Sequence, residues 1–161
     1  MSGDDESVAD NGSTPGIIKY HKNAAFDVLV EEDDIFNSNF RCFIFSGMLG
    51  YYRGRKTDDL DYNAQTRWLF IAGNNDIELP IAAIAFADTG DPNVIDNPKQ
   101  QVDILRQYAA SGANILLDQV VQKRGNNLNN LLELINVDRD TDERVEESKM
   151  LAEIDATLTQ M

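Results

Sequence analysis

Apolar residues show no period over the first sixteen positions, MSGDDESVADNGSTPG, so this acidic run ending at Pro15-Gly16 predicts a disordered leader. From Ile17 to Phe36, Ala25 and Leu29, with Val28 and Val30, suit a short helix, although FDVLV has strand preference as well. Asn37 or Ser38 is placed to cap a second helix whose Phe40, Phe43, Ile44, Met48 and Leu49 recur at three and four residues, the spacing of one buried face. Small residues on that helix, Ser46, Gly47 and Gly50, permit close approach by another, and Gly54 marks its end. TDDLDYNAQT (57–66) is polar and turn-like. RWLFIAG (67–73) then offers a short strand near 66–73 or the entry to a helix, closed by Gly73, Asn74 and Asn75.

Asp76 opens a further helix with Glu78 and Pro80 in its first turn and a buried stripe of Ile77, Ile81, Ile84 and Ala85. After the turn TGDPN, Pro98 starts a long helix in which Val102, Leu105, Ala109, Gly112, Leu116 and Val120 keep a three-four spacing, ending at Lys123-Arg124-Gly125. NNLNNLLELINV (126–137) reads as a short amphipathic helix, and TDERVEESKMLAEIDATL as a second, with Val145, Leu151, Ile154 and Leu158 as a thin apolar face. The predicted architecture is mainly α. A compact multi-helix single domain spans 17–137, an acidic leader occupies 1–16, and an acidic amphipathic helix or tail occupies 138–161.

Composition changes this picture in one respect, which is charge. Of a net −14, residues 1–34 carry nine acids against two bases and residues 126–161 nine against three, while residues 35–125 carry ten against nine. The acidity belongs to the ends, where it serves solubility or shields a less acidic centre. A chain so acidic is a poor general DNA binder, because non-specific affinity comes from phosphate neutralisation by Lys and Arg. No apolar run reaches membrane-spanning length, and the polar start lacks the pattern of a secretory signal, so a cytoplasmic protein is expected. Small residues and the apolar stripe of the long helix are also compatible with a homodimer.

Candidate chemistry is sparse. Tyr51, Tyr52, Arg53, Arg55 and Lys56 form the best partner- or DNA-binding site, since guanidinium groups pair with carboxylates or phosphates and tyrosines add stacking area. The competing reading is a helix end whose bases complement the dipole and pair with Asp58, Asp59 and Asp61. Asp138–Lys149 begins like a calcium loop but has Glu143 where the loop needs glycine and Lys149 where it needs glutamate, so no metal is expected. Glu147-Ser148-Lys149 matches a nuclease fragment without its strand context. His21 reads as a surface histidine, Cys42 as a core thiol, and Trp68 and Phe70 as core anchors. No cofactor and no catalytic residue is expected.

Three blocks together resemble a family. FRCFIFSGMLGYYRGRK (40–56) resembles the Phe-rich helix with Leu-Gly-Tyr-x-x-Gly-Arg-Lys/Arg of small accessory proteins encoded beside DNA phosphorothioation (Dnd) clusters, the fourth associated family. LPIAAIAFADTGDPNVI (79–95) and ILRQYAASGANILLDQV (104–120) resemble that family's Ile-Ala-x-Ala-x-Thr-x-Asp and Tyr-Ala-Asn-Gly-Gly segments, with a departure at Ala110-Ser111. The resemblance implies a non-catalytic accessory or scaffolding subunit of a phosphorothioation-linked defence or restriction system. Its partners would be other subunits of that complex, with DNA as a further ligand. The alternative, from the charge pattern, is an acidic regulator or DNA-mimicking inhibitor of a nucleic-acid-binding protein.

Overall fold

The computed structural model describes residues 15–57 and 61–160, without the side chains of 137–145. The expected leader therefore lies outside the described residues apart from Pro15 and Gly16. The elements run β1 (Ile17–Tyr20), α1 (Ala24–Phe26), α2 (Asn39–Tyr52), β2 (Ala64–Arg67), α3 (Asn75–Thr89), α4 (Pro98–Leu116) and α5 (Asn127–Thr159). π-Helical stretches at Asp27–Glu32 and Leu117–Val121 prolong α1 and α4, and 3-10 turns occupy Trp68–Phe70 and Pro92–Asp96. This is the mainly α fold that the pattern predicts. Its small sheet is a single antiparallel pair with Ile17 opposite Arg67 and Tyr20 opposite Ala64.

The two strands correct the sequence reading in detail. Ile17–Tyr20, where no strand is expected from the sequence, alternates exposed and buried residues, so Ile18 and Tyr20 face the core while Ile17 and Lys19 face water. The second strand falls on AQTR rather than on the apolar WLFI that follows it. WLFI instead winds into a 3-10 turn, where residues three apart share a face. Trp68 and Ile71 are accordingly buried together, and Phe70, expected in the core, is 66% exposed.

The core is built around the crossing of α2 and α4. Ser38 caps α2 by accepting from the Arg41 amide at 3.2 Å, and the helix buries Phe40, Cys42, Phe43, Ile44 and Leu49. Met48, expected with them, is 44% exposed. It borders a groove of about 330 Å³ shared with Ile35, Phe36, Phe45 and Ile77. Tyr20 stacks on Phe43 with ring centroids 4.5 Å apart. The fully buried Phe26, Leu29, Phe43, Leu105 and Leu116 lie in the same cluster, each worth roughly 1.5–3 kcal/mol of transfer free energy.

The α4 stripe of Val102, Leu105, Ala109, Gly112, Leu116 and Val120 is buried as its spacing predicts. So is the α3 stripe of Ile77, Ile81, Ile84 and Ala85. Three glycines bring the two central helices into backbone contact. A Cβ at Gly112 would overlap the Ser46 carbonyl and lie 2.9 Å from Ser46 Cα, one at Gly50 would overlap the Tyr108 carbonyl, and one at Gly47 would meet the Leu105 side chain. Ser46 tolerates this position because its hydroxyl donates to the Cys42 carbonyl at 2.7 Å within its own helix.

From Asn127 the chain forms one helix of 33 residues, about 50 Å long at 1.5 Å per residue. The short amphipathic helix expected at 126–137 and the acidic segment after it are thus continuous in backbone. Asn130, Leu131 and Leu134 anchor its start in the body, and every residue from 146 to 160 is exposed. Val145, expected on its apolar face, lies among the residues whose side chains are not described.

Candidate functional site

The C-terminus of α2 closes with paired hydrogen bonds that fix where the chain goes next. Gly54 adopts φ +63°, the Gly54 amide donates to the Tyr51 carbonyl and the Arg55 amide to the Gly50 carbonyl, both at 2.9 Å. This reciprocal pair satisfies helix-end carbonyls and requires a residue at home with positive φ at Gly54. The strand-like continuation is held to α4 by the Thr57 amide, which donates to the Gln107 carbonyl at 3.1 Å.

Within this frame Lys56 turns back over the body. Its Nζ lies 3.1 Å from Asp88 Oδ2 and 3.2 Å from Oδ1, and 5.5 Å from the centre of the Tyr108 ring. The Tyr108 hydroxyl donates to Asp88 Oδ1. Asp88 sits one residue before the end of α3 and its side chain is only 14% exposed. Tyr51 completes the cluster, its ring edge-on to Tyr108 at 86° with centroids 5.4 Å apart. Burial would raise the Asp88 carboxyl, but the Tyr108 and Lys56 hydrogen bonds and the Lys56 charge outweigh it and hold the group below its ordinary value. Tyr108 is pushed up to about 12 by burial first, then by its bond to Asp88 and that carboxylate's charge.

The five residues singled out in the sequence therefore separate into two groups. Tyr51 and Lys56 belong to the knot with Asp88 and Tyr108. Tyr52, 46% exposed, and Arg55, also exposed, stand outside it. Arg53 is half-buried and lines a cleft of about 370 Å³ with Asp118, Gln119, Lys123, Glu133 and Leu134. Across that cleft Lys123 pairs with Glu133 at 2.7 Å, while the buried Asn130 amide donates to the Val120 and Lys123 carbonyls at 3.0 and 3.2 Å. The cationic tip is thus contiguous with the base of α5.

Asp58 and Asp59, the expected partners of these bases, lie outside the described residues. The acid that engages Lys56 is Asp88, 32 positions away in the chain. Asp88 and Tyr108 were not singled out from the sequence. The available signal was that both fall inside the blocks carrying the family resemblance, ADTGD and RQYAASG, which the fold brings to the block containing Tyr51 and Lys56.

Cys42 is completely buried, and burial pushes its thiol up to about 12 against a smaller lowering by the Ser46 hydrogen bond. His21 Nδ1–H donates to the Asp61 carbonyl at 2.8 Å, joining the exit of β1 to the approach to β2. Glu147 and Lys149 are exposed on α5, and most of the calcium-like segment that precedes them lies among the residues whose side chains are not described. No helix among the described residues is long and apolar enough to cross a membrane.

The family model described as DNA sulphur modification system-associated protein 4 matches residues 22–154, which includes all four residues of the knot. No curated protein and no solved structure matches the chain.

Proposed function

Because this chain belongs to the DNA sulphur modification system-associated protein 4 family, we propose that it is a non-catalytic accessory subunit of a phosphorothioation-linked defence or restriction system. Its working surface is the tip formed by Tyr52, Arg53 and Arg55, which docks an acidic surface of a partner subunit. The observation that carries this reading is the convergence of three separated sequence blocks on the Lys56–Asp88–Tyr108 knot directly behind that tip. A knot of this kind fixes the exit of α2, so the backbone that carries the arginines has little conformational entropy left to lose on docking. The lone thiol supports a non-catalytic role, since burial keeps it protonated at neutral pH.

DNA phosphate is the secondary ligand of the tip. Lys56 is paired with Asp88, and a tip with so few cations binds phosphate weakly and in a salt-sensitive way. The test is an Arg53→Glu/Arg55→Glu variant with Lys56 kept intact, because reversing Lys56 would also break the knot. Tagged chain is recovered from cells expressing the complete system, before and after nuclease treatment. The variant is expected to lose the modification or restriction subunits, and its melting curve, set beside that of Arg55→Glu alone, separates lost docking from lost fold. Retention of every partner and of DNA at wild-type levels would remove the tip from the interface. Recovery that depends wholly on DNA would favour phosphate as the primary ligand.

A further inference from the structure

Among the described residues, the end of α5 buries no side chain in the body of the protein. From Glu146 to Gln160 all residues are exposed, and Met150, Leu151, Ile154 and Leu158 stand 63%, 67%, 50% and 61% open. These four occupy one side of the helix at spacings of three and four. Glu147 opens the same side, four residues before Leu151, and the flanks carry Glu146, Glu153 and Asp155 against Lys149 alone. A helix that is apolar along one stripe and acidic beside it is stable in isolation only marginally, so its apolar stripe is a surface awaiting cover.

Charge and length select the occupant. Nucleic acid and anionic lipid surfaces are both repelled by a segment with four acids and one base. A second copy of the arm would bring the same excess of acid face to face. It would also share a stripe of only about two heptads, too short for a stable two-stranded coil. What matches is an apolar groove on a different protein, rimmed by Lys or Arg, taking the arm as an amphipathic helix with Leu151, Ile154 and Leu158 as anchors. We propose that residues 146–160 of α5 are a docking helix for such a basic-rimmed groove on another subunit. This rests on the accessory-subunit reading above but uses a surface at the far end of α5 from the cationic tip. The two ends then offer opposite charges to their partners, with a basic tip for an acidic surface and an acidic arm for a basic one.

The test uses full-length chain and each purified protein subunit of the same DNA sulphur modification system, with binding followed by interferometry at low and high salt. Leu151→Gln/Ile154→Gln removes two of the three anchors and keeps helix-compatible residues at exposed positions, and circular dichroism verifies the fold. Glu146→Gln/Glu147→Gln/Glu153→Gln/Asp155→Asn removes the acid. The anchor variant is expected to bind one subunit roughly thirtyfold more weakly, the scale of a hot-spot loss. The acid variant is expected to associate more slowly and to lose its salt dependence. A subunit that binds both variants as it binds wild type overturns the docking helix and leaves the accessory reading standing. Absence of binding to every subunit overturns both. Sedimentation showing a dimer that the anchor variant dissolves assigns the stripe to a second copy and overturns the proposal.

Discussion

Gly112 occupies a position where a single methyl group decides whether two helices can cross. Its would-be Cβ meets the Ser46 backbone, as that of Gly50 meets the Tyr108 backbone, whereas at Gly47 the obstacle is the Leu105 side chain. Backbone cannot rotate away as a side chain can, so Gly112→Ala and Gly50→Ala should each cost about 3 kcal/mol or more, and Gly47→Ala distinctly less. Urea midpoints of the three variants check the order. The neighbouring Ser111 plays no such part: Gly112 faces the partner helix at contact distance, and Ser111 is half-exposed. Ser111→Gly should therefore gain nothing and lose about 0.5 kcal/mol of helix propensity.

In the knot, the sign of each effect follows from burial. Tyr108→Phe strips a donor from a carboxylate that is mostly shielded from water, and should destabilise by about 1–2 kcal/mol. Lys56→Ala removes a cation that is 39% exposed and should cost about 1 kcal/mol or less. Because Asp88 ionises below its ordinary 3.8, its contribution is present above that value and fades as pH falls through the lowered one. The wild type should accordingly lose more stability than Tyr108→Phe on acidification, measured as the change in urea midpoint from neutral to acid pH. Sequence showed the bases of this region and not their partner. Nearby Asp58, Asp59 and Asp61 looked sufficient, and the topology that supplies Asp88 is not encoded in local spacing.

At the level of elements, the long apolar periods were legible and the short ones were not. α3 and α4 bury the residues that three-four spacing nominates because a helix that long must place its whole stripe on one neighbour. β1 spans four residues, too few for alternation to stand out beside the helical pattern that follows. WLFI could be assigned to the core by composition, but only the 3-10 winding decides that Ile71 rather than Phe70 shares the face of Trp68. α5 poses the opposite problem, since its backbone is continuous while its packing stops early. The last buried described residue is Leu134, so removal of residues 146–161 takes away no core contact. That truncation should shift unfolding free energy by less than about 0.5 kcal/mol, read from denaturant melts of the two purified chains. A large loss would mean that the arm packs on the body and would also undermine its assignment as a docking helix.

For the molecule as a whole, three buried acids of the weakest kind share one fate at high pH. Tyr20 is pushed up to about 12 by burial and by the neighbouring Cys42 charge, Cys42 to about 12 by burial, and Tyr108 to about 12 by burial and Asp88. In the unfolded chain these groups ionise near their ordinary 10.0, 9.0 and 10.0. A raised folded value means that the unfolded state gives up its protons first. Stability is therefore complete below pH 9 and is lost as pH rises from 9 through about 12. Tyr20 and Cys42 sit against β1 and α2, and Tyr108 lies at the α2–α4 crossing, so all three report on the same core. Cooperative alkaline unfolding is expected in this interval, followed by far-ultraviolet dichroism together with tyrosinate absorbance. Of the five tyrosines, the last two to ionise, buried Tyr20 and Tyr108, should appear together with the fall in helical signal, because neither can ionise without opening the packing around α2. Tyrosinate appearing in full well before the helical signal falls would show that the knot and the strand pair open separately from the helical core. Such a result would weaken the tip as a preorganised docking surface, since its presentation depends on the knot being as stable as the helices it joins.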